Sequence, residues 1–175
     1  TFNGNPVTTV ISCYSPTNVS DEDTVNEFYN DLSSLFRNIP KHNVTLIAGD
    51  FNAKIGECDQ PHSKIISYHN ETNRNGDMLL DFCTENELTI LNTKFQKKRG
   101  KLWTFEYANG QKAQLDYILL NRKWINSCTN CESYSSFSSV SSDHRIVSCT
   151  IRLSLRANKK KPSSNPPYEW SVLRN

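Results

Sequence analysis

The sequence has 175 residues, which suffices for one domain with a hydrophobic core and excludes two domains of ordinary size. Its longest apolar runs, 44–48 and 117–120, are far shorter than the ~20 residues of a membrane-spanning helix, so we predict no membrane partner. The net charge of +2 conceals an asymmetry: residues 1–93 carry 5 Lys and Arg against 13 Asp and Glu, whereas residues 94–175 carry 15 against 5. A basic half is typical of proteins that bind a polyanion, with a solvated charged surface as the alternative.

The six cysteines do not have the spacing of a disulfide framework. Cys13, Cys83 and Cys149 lie within apolar runs, where a free thiol behaves as a small buried hydrophobic group, and this pattern favours a reducing, intracellular compartment. Cys128 and Cys131 form a single CxxC pair. Without a second pair of ligands, that pair is a weak indication of a zinc or redox site.

The first part of the chain alternates between strand and helix patterns. A β-favouring run over residues 7–11 predicts one strand, and the apolar run 44–48 predicts a second. Between them, apolar residues from 25 to 39 recur at intervals of three and four, which predicts a helix with Ser20 as its N-cap and Pro40 at its exit. The succession of strand, helix and strand indicates an α/β fold.

The second part of the chain is dominated by strand patterns. The Asn109-Gly110 dipeptide predicts a hairpin turn between two of the strands. The Lys-, Ser- and Pro-rich composition of the last residues predicts a domain over 1–155 and a basic linker over 156–175. The elements predicted before the linker are a loop over residues 51–75, a helix over 78–83, and strands over 88–91, 102–107, 114–120 and 146–155.

The most informative segment follows the second predicted strand. That strand runs into Gly49 and then presents the carboxylate of Asp50 and the carboxamide of Asn52 two residues apart. Polar groups at the end of a buried strand are held rigidly, as a catalytic site requires. Asp and Asn also end strands because they favour turns, so a purely structural role is the alternative for this tripeptide.

Two further segments place ionisable side chains at or within strands. Ser142, Asp143 and His144 directly precede the last strand, and a histidine there can act as a general acid or base or as a phosphate ligand. Asp116 lies in an otherwise apolar strand, where a carboxylate is costly unless it is paired, for instance with an imidazole that it orients and keeps charged. The other three histidines are predicted to be surface residues: His42, His62 and His69.

A fourth segment combines positive charge with an aromatic residue. Trp103 and Thr104 follow a basic turn, and cations next to an aromatic ring suit a phosphate backbone with a nearby base. A solvated hairpin is the alternative. The basic residues of the turn are Lys94, Lys97, Lys98, Arg99 and Lys101.

The order of these four segments, GDFN, WT, LDY and SDH, resembles that of the endonuclease/exonuclease/phosphatase superfamily, which has the DNase I-like fold. The resemblance is greatest to the endonuclease domains of RTE-type non-LTR retrotransposons and their craniofacial-development-protein-2-like relatives. It implies an α/β (α+β) fold arranged as a four-layer α/β/β/α sandwich. The stretches that carry this further resemblance are 13–16, 49–56, 114–119 and 168–173.

The resemblance also implies catalytic roles for individual residues. Asp50 would position and deprotonate the attacking water, and Asn52 would bind the scissile phosphate and orient Asp50. His144 would contact the phosphate and stabilise its developing charge, with Asp116 orienting the imidazole ring. Tyr14 would bind or polarise the phosphate.

The remaining implied roles concern the metal and the substrate. Asp143, with Asp50, would lie at a divalent cation, Mg²⁺ or Mn²⁺. The hydroxyls of Ser142 and Thr104 would contact phosphate. Trp103 and the basic side chains of the turn would contact the nucleic acid, namely Lys98, Arg99 and Lys101.

One departure from the family pattern limits the expected activity. The family carries an Asn and a metal-binding Glu upstream of the position of Tyr14, and no residue of this sequence matches them, because it begins at Thr1. We therefore expect the chain to be an N-terminally truncated fragment whose nuclease activity is little or none.

The expected function of the intact protein is metal-dependent hydrolysis of phosphodiester bonds, as a nuclear endonuclease that nicks DNA to prime reverse transcription. Its expected partners are DNA and, through a downstream reverse transcriptase region, the RNA of its own element. One alternative keeps the fold but changes the substrate to an inositol phosphate, a lipid headgroup or RNA. Another is an inactive relic or a nucleic-acid-binding module.

Overall fold

A computed structural model describes residues 1–2, 5–60, 63–134 and 142–153. The predicted linker, 156–175, lies outside these ranges. The described residues form two α-helices, α1 (Glu22–Arg37) and α2 (Arg74–Glu85), and three short 3-10 segments at Leu91–Thr93, Arg99–Lys101 and Arg122–Ser127. The ten strands within the same ranges are β1 (Thr8–Tyr14), β2 (Val44–Asp50), β3 (Cys58–Gln60), β4 (Ser63–Ile65), β5 (Leu88–Ile90), β6 (Phe105–Glu106), β7 (Lys112–Ala113), β8 (Asp116–Asn121), β9 (Cys128–Tyr134) and β10 (Ile146–Ile151).

The central sheet has four strands in the order β1-β2-β8-β5. β1 and β2 are parallel, with Tyr14 opposite Asp50, and β8 is antiparallel to β2, with Asp116 opposite Asp50. The register therefore places Tyr14, Asp50 and Asp116 side by side at one end of three adjacent strands. A side chain at Gly49 would overlap the carbonyl oxygen of Cys13, so glycine permits the close approach of β1 to β2 just before Asp50.

Different layers cover the two faces of this sheet. α1 and α2 pack on one face around a core that includes Ile47, Phe51 and Tyr117. The two-stranded β9–β10 sheet packs on the other face, against Val44, Ile118 and neighbouring side chains. The described residues thus form one helix layer and two sheet layers, which agrees with the predicted mixed α/β fold. Within the described ranges, no helix is long and apolar enough to cross a membrane.

The caps of the helices differ in part from the prediction. Asp21, not Ser20, is the N-cap of α1, because its carboxylate accepts hydrogen bonds from both the amide and the hydroxyl of Thr24, at 2.8 and 2.7 Å. Asn73 caps α2 by accepting a hydrogen bond from the amide of Gly76. The same Asn73 oxygen also accepts one from the amide of Lys54, which ties α2 to the segment that follows the Asp50 strand.

The strand boundaries near the hairpin also differ. The Asn109-Gly110 turn is confirmed, with Gly110 at φ 79°, but β6 pairs with β7 and not with the predicted strand 114–120. The chain leaves the hairpin after Ala113 because β8 is hydrogen bonded into the central sheet, between β2 and β5. β3 and β4 form a small hairpin within the predicted loop 51–75. β10 ends at Ile151, earlier than the predicted residue 155.

Candidate active site

Two carboxylates face each other across neighbouring strands. Asp50 is the last residue of β2 and Asp116 the first residue of β8, and the two are paired in register. Burial raises the pKa of both carboxyl groups, and each also feels the negative charge of Asp143. The proton affinity of both carboxylates is therefore higher than that of an exposed aspartate, which suits a group that must accept a proton.

His144 joins these two carboxylates through its two ring nitrogens. Its Nδ1 lies 3.0 Å from one carboxylate oxygen of Asp116 and 3.2 Å from the other. An ionised carboxylate can only accept, so Nδ1 carries the proton in this hydrogen bond. Nε2 lies 3.9 Å from Oδ2 of Asp50, and a third of the His144 side chain is exposed. The structure thus brings together Asp50, Asp116 and His144, and their catalytic roles stay predictions.

The segment that carries His144 is attached to the β6 strand. His144 forms an isolated antiparallel bridge with Phe105, and the two rings lie 4.8 Å apart between centroids. The carbonyl of Asp143 accepts a hydrogen bond from the amide of Glu106 at 2.9 Å. The amide of Arg145 donates to the carbonyl of Thr104 at 2.7 Å. These main-chain bonds place the imidazole over the end of β8.

Asn52 shapes the loop that follows β2. Its backbone has the left-handed conformation, with φ 48°, which few residues other than Gly and Asn adopt readily. Its amide N–H donates to Oδ1 of Asp50 at 2.8 Å, and its side-chain Nδ2 donates to the carbonyl of Ser15 at 2.9 Å. Asn52 therefore orients Asp50 through the main chain, while its contact with phosphate stays a prediction.

Thr104 and Trp103 do not fit their predicted contacts with substrate. Thr104 is fully buried, and its hydroxyl oxygen accepts hydrogen bonds from the amides of Leu115 and Asp116, at 3.0 and 3.1 Å. Trp103 is 7% exposed, and the cations of Lys112 and Arg145 lie 4.6 and 3.0 Å from the centroid of its ring. Both residues support the site from beneath.

The other predicted phosphate and metal contacts lie at the surface. Tyr14 is 70% exposed at the end of β1, beside Asp50 in the register. Ser142 and Asp143 are exposed, and the Ser142 hydroxyl accepts a hydrogen bond from the amide of His144 at 3.2 Å. These side chains are accessible, and their roles stay predictions.

The basic turn is partly neutralised. Glu132 of β9 accepts a hydrogen bond from Lys101 at 2.9 Å and also pairs with Lys97 at 3.2 Å. The guanidinium of Arg99 lies 4.4 Å from the ring centroid of Tyr68. Lys98 is exposed and has no ion pair within the described ranges. Lys94, Lys98 and Arg99 are therefore the exposed cations of the turn without a carboxylate partner in the described ranges.

Two residues near the site were missed by sequence reasoning. His69, predicted to lie at the surface, is half-buried, and its Nε2 accepts a hydrogen bond from the amide of Gln114 at 2.9 Å. Burial lowers the pKa of His69, so this histidine is a neutral structural acceptor next to β8. Arg145 contacts Trp103, and its position directly after His144 was the only available signal. His42 is exposed as predicted, and His62 lies outside the described residues.

The donor set for a divalent cation is partial. Mg²⁺ takes one or two protein carboxylates and completes its shell with water and phosphate oxygens, which Asp50 and Asp143 match in chemistry and charge. Within the described residues, no group of three or more His, Cys, Asp or Glu side chains is arranged to hold a metal. The cysteines in those residues are free thiols, and Cys128 and Cys131 are buried among strand residues, which does not favour a zinc site.

Comparisons with known proteins identify a related protein sequence and similar solved structures. Craniofacial development protein 2 of Tragulus javanicus is 34% identical over 157 residues, which are 89% of this chain and 27% of that protein. The chain thus spans about a quarter of the relative's length. The endonuclease domain of TRAS1, a telomere-specific non-LTR retrotransposon, has a similar structure, with a TM-score of 0.57, 18% identity, and coverage of 80% of this chain and 56% of that one.

A second structure extends the likeness in fold. The Neisseria 3′ phosphatase NExo bound to a product DNA hairpin matches with a TM-score of 0.61 and 14% identity, over 82% of this chain and 61% of that one. These likenesses confirm the DNase I-like fold. The family described as Endonuclease-reverse transcriptase, Exo_endo_phos_2, matches residues 8–148, and the chain therefore belongs to this family of hydrolytic nucleases and phosphatases.

Proposed function

We propose that this chain is the part of a DNA-nicking endonuclease that holds its general base and its phosphate-binding histidine. The observation that carries the proposal is the meeting of Asp50, Asp116 and His144, which come from three separate segments and lie within 3.0 to 3.9 Å of one another through the imidazole. A structural ion pair needs one carboxylate on the histidine. Here a second one, Asp50, lies on the opposite ring nitrogen and is held by Asn52.

The chemistry follows from the two ring nitrogens of His144. When His144 carries a proton on both ring nitrogens, Nδ1–H is held by Asp116 and Nε2–H is the group that can donate to a phosphoryl oxygen of the substrate. Asp50, whose pKa is raised by burial, accepts the proton of the attacking water. Asp116 touches neither partner of the reaction and acts by orienting His144.

The proposal includes a divalent cation, Mg²⁺ or Mn²⁺, with Asp50 and Asp143 as the ligands from this chain. When bound, such a cation would add positive charge against the phosphoryl oxygens. The DNase I-like fold supports this part of the proposal, and so does the hard oxygen character of the two carboxylates.

DNA is the proposed substrate because an exposed basic turn is joined to the His144 segment by the hydrogen bond from Arg145 to the carbonyl of Gly100. The structural neighbours also include a retrotransposon endonuclease and a phosphatase bound to a DNA hairpin. We extend the proposal to nicking of a target site for reverse transcription in the nucleus. The RNA of the element would then be bound by another part of the protein.

The test uses the longest natural open reading frame that contains this sequence, and compares it with the 175-residue chain alone. Supercoiled plasmid, single-stranded RNA and a phosphoinositide are incubated with Mg²⁺, with Mn²⁺ and with EDTA. We expect metal-dependent conversion of plasmid to the nicked circle, lost in Asp50→Ala, and little or none from the chain alone.

If RNA or phosphoinositide is hydrolysed in preference to plasmid, that class of molecule, and not DNA, is the substrate. If none of the three is hydrolysed and DNA is bound tightly, the protein is a nucleic-acid-binding module and not an enzyme. Robust nicking by the chain alone would show that its donor set is sufficient.

A further inference from the structure

Arg145 directly follows His144, and its side chain contacts both the basic turn and Trp103, the second residue after that turn. Its guanidinium carbon lies 3.0 Å from the centroid of the Trp103 ring, while Nζ of Lys112 lies 4.6 Å from the same centroid. Nη1 of Arg145 donates a hydrogen bond to the carbonyl of Gly100 at 2.9 Å. The side chain therefore spans from the histidine segment to the basic turn.

Trp103 is a fixed platform for this contact. Its side chain is 93% buried, and its carbonyl accepts a hydrogen bond from the hydroxyl of Ser133 in β9 at 2.8 Å. The next residue, Thr104, accepts the amide of Arg145 on its carbonyl and the amide of Asp116 on its hydroxyl. Trp103 and Thr104 thus connect, through two consecutive residues, the segment that carries His144 and the strand that carries Asp116.

We infer that Arg145 is a positioning residue, whose stacking on Trp103 and hydrogen bond to Gly100 hold the imidazole of His144 against Asp116. This inference rests on the proposed function for its catalytic consequence, although the ordering of the segment can be measured without any reaction. A guanidinium stacked flat on a ring and bonded to a carbonyl has fewer free donors for phosphate than Lys98 or Arg99.

The inference explains why a buried tryptophan precedes the buried threonine beneath the site. The imidazole is held by its hydrogen bond to Asp116, its ring contact with Phe105 and the main-chain bonds at Asp143 and Arg145. A short segment held only by these bonds would open readily, because each contributes about 0.5–1.5 kcal/mol. The Arg145 stack adds a side-chain contact at the far end of the segment.

The test compares Arg145→Met with Arg152→Met in the ¹⁵N-labelled chain. Met keeps the length of the side chain and removes the charge, and Arg152 is an exposed arginine just after β10 that serves as a matched control. At one fixed pH, we expect Arg145→Met to raise hydrogen exchange at the amides of Glu106 and Arg145 about tenfold or more and to broaden the Nδ1–H signal of His144. The core amides of Ile47 and Leu119 should not change, which shows that the fold is intact.

The longer protein supplies the catalytic readout. We expect Arg145→Met to lower the maximal nicking rate about tenfold, with the Kd for DNA and its salt dependence unchanged. Arg145→Lys should not restore the rate, because an ammonium group keeps the charge but cannot both lie flat on Trp103 and donate to Gly100. Trp103→Leu should reproduce the exchange result, and the double variant should add little to it.

Two results would overturn the inference. One is unchanged exchange and an unchanged His144 signal in Arg145→Met. The other is a weakened Kd with a salt slope reduced by about one and rescued by Lys, which would make Arg145 a phosphate contact. If the wild-type protein does not nick DNA, the proposed function fails, while the exchange and Nδ1–H measurements still decide whether Arg145 positions His144.

Discussion

The two ends of β2 hold different kinds of site. At the Asp50 end, two carboxylates and a partly exposed imidazole meet within hydrogen-bonding or near hydrogen-bonding distance. At the Val44 end lies a cavity with a volume of about 860 Å³, formed where α1, α2 and β8 end. The charged side chains that line it include Arg37, Lys41, Glu85, Glu87, Arg122 and Lys123.

The cavity and the candidate catalytic groups therefore lie at opposite ends of β2. Within the described residues, none of the charged side chains around the cavity forms an ion pair, and Arg37 complements the carbonyl end of α1. At the Asp50 end, the polar groups are held by hydrogen bonds to the main chain of neighbouring segments. Hydrolysis of a phosphodiester in a long polymer requires such fixed groups at an open surface.

The sharpest way to break this comparison is to remove the carboxylate of Asp50. Asp50→Asn keeps the acceptor for the Asn52 amide and removes the general base, so we expect nicking by the longer protein to fall about 10³-fold. The measurement is the initial rate of plasmid nicking at saturating DNA.

Glu85→Gln, at the cavity end, is the matched control and should nick at the wild-type rate.

Burial raises the pKa of Asp50, so its charge opposes folding once the pH exceeds the ordinary carboxyl value of 3.8. Asp50→Asn should therefore melt at the same temperature as the wild type or higher at pH 7. A rate equal to that of the wild type would remove Asp50 from the mechanism.

A smaller loss is expected when the imidazole is kept and its orientation is lost. In Asp116→Asn, the amide cannot hold Nδ1–H as a carboxylate does, so the ring of His144 is free to turn. We expect the maximal rate to fall about 10²-fold with KM unchanged. Asp81→Asn, at an exposed position of α2, is the control. A rise in KM with an unchanged maximal rate would contradict an orienting role.

Much of this site could be predicted because its residues end strands in a characteristic order. Asp50, Asp116 and His144 follow or begin apolar runs, and the sheet register brings such ends together. The burial of Trp103 and Thr104 could not be predicted, because it depends on β8 and β9 packing over them. His69 gave no signal, since its ring is hydrogen bonded to the main chain of Gln114, 45 residues away.

The basic turn extends the comparison to substrate binding. Lys98→Gln and Arg99→Gln should each weaken DNA binding several-fold and lower the salt slope by about 0.9, because each removes a cation that has no carboxylate partner in the described ranges. Lys101→Gln should have a smaller effect, because Lys101 already neutralises Glu132. The measurement is Kd by fluorescence anisotropy at several salt concentrations. Equal effects for all three would show that Glu132 does not compete with DNA.

The smallest expected effect is on stability in acid. The hydrogen bond from Lys101, with those from Lys97, Asn130 and Tyr134, lowers the pKa of Glu132 from 4.5 to about 2. The folded state therefore releases this proton more readily than the unfolded chain, and the stabilisation is present above pH 4.5 and is lost as the pH falls toward 2. Glu132→Gln should lower the melting temperature at pH 7 by a few degrees and flatten its fall between these two pH values. Glu106→Gln, at an exposed position, should leave the acid profile unchanged. A wild-type acid profile in Glu132→Gln would mean that Glu132 does not bind the lysines of the turn in the folded state. The charge of these lysines would then be free to meet phosphate.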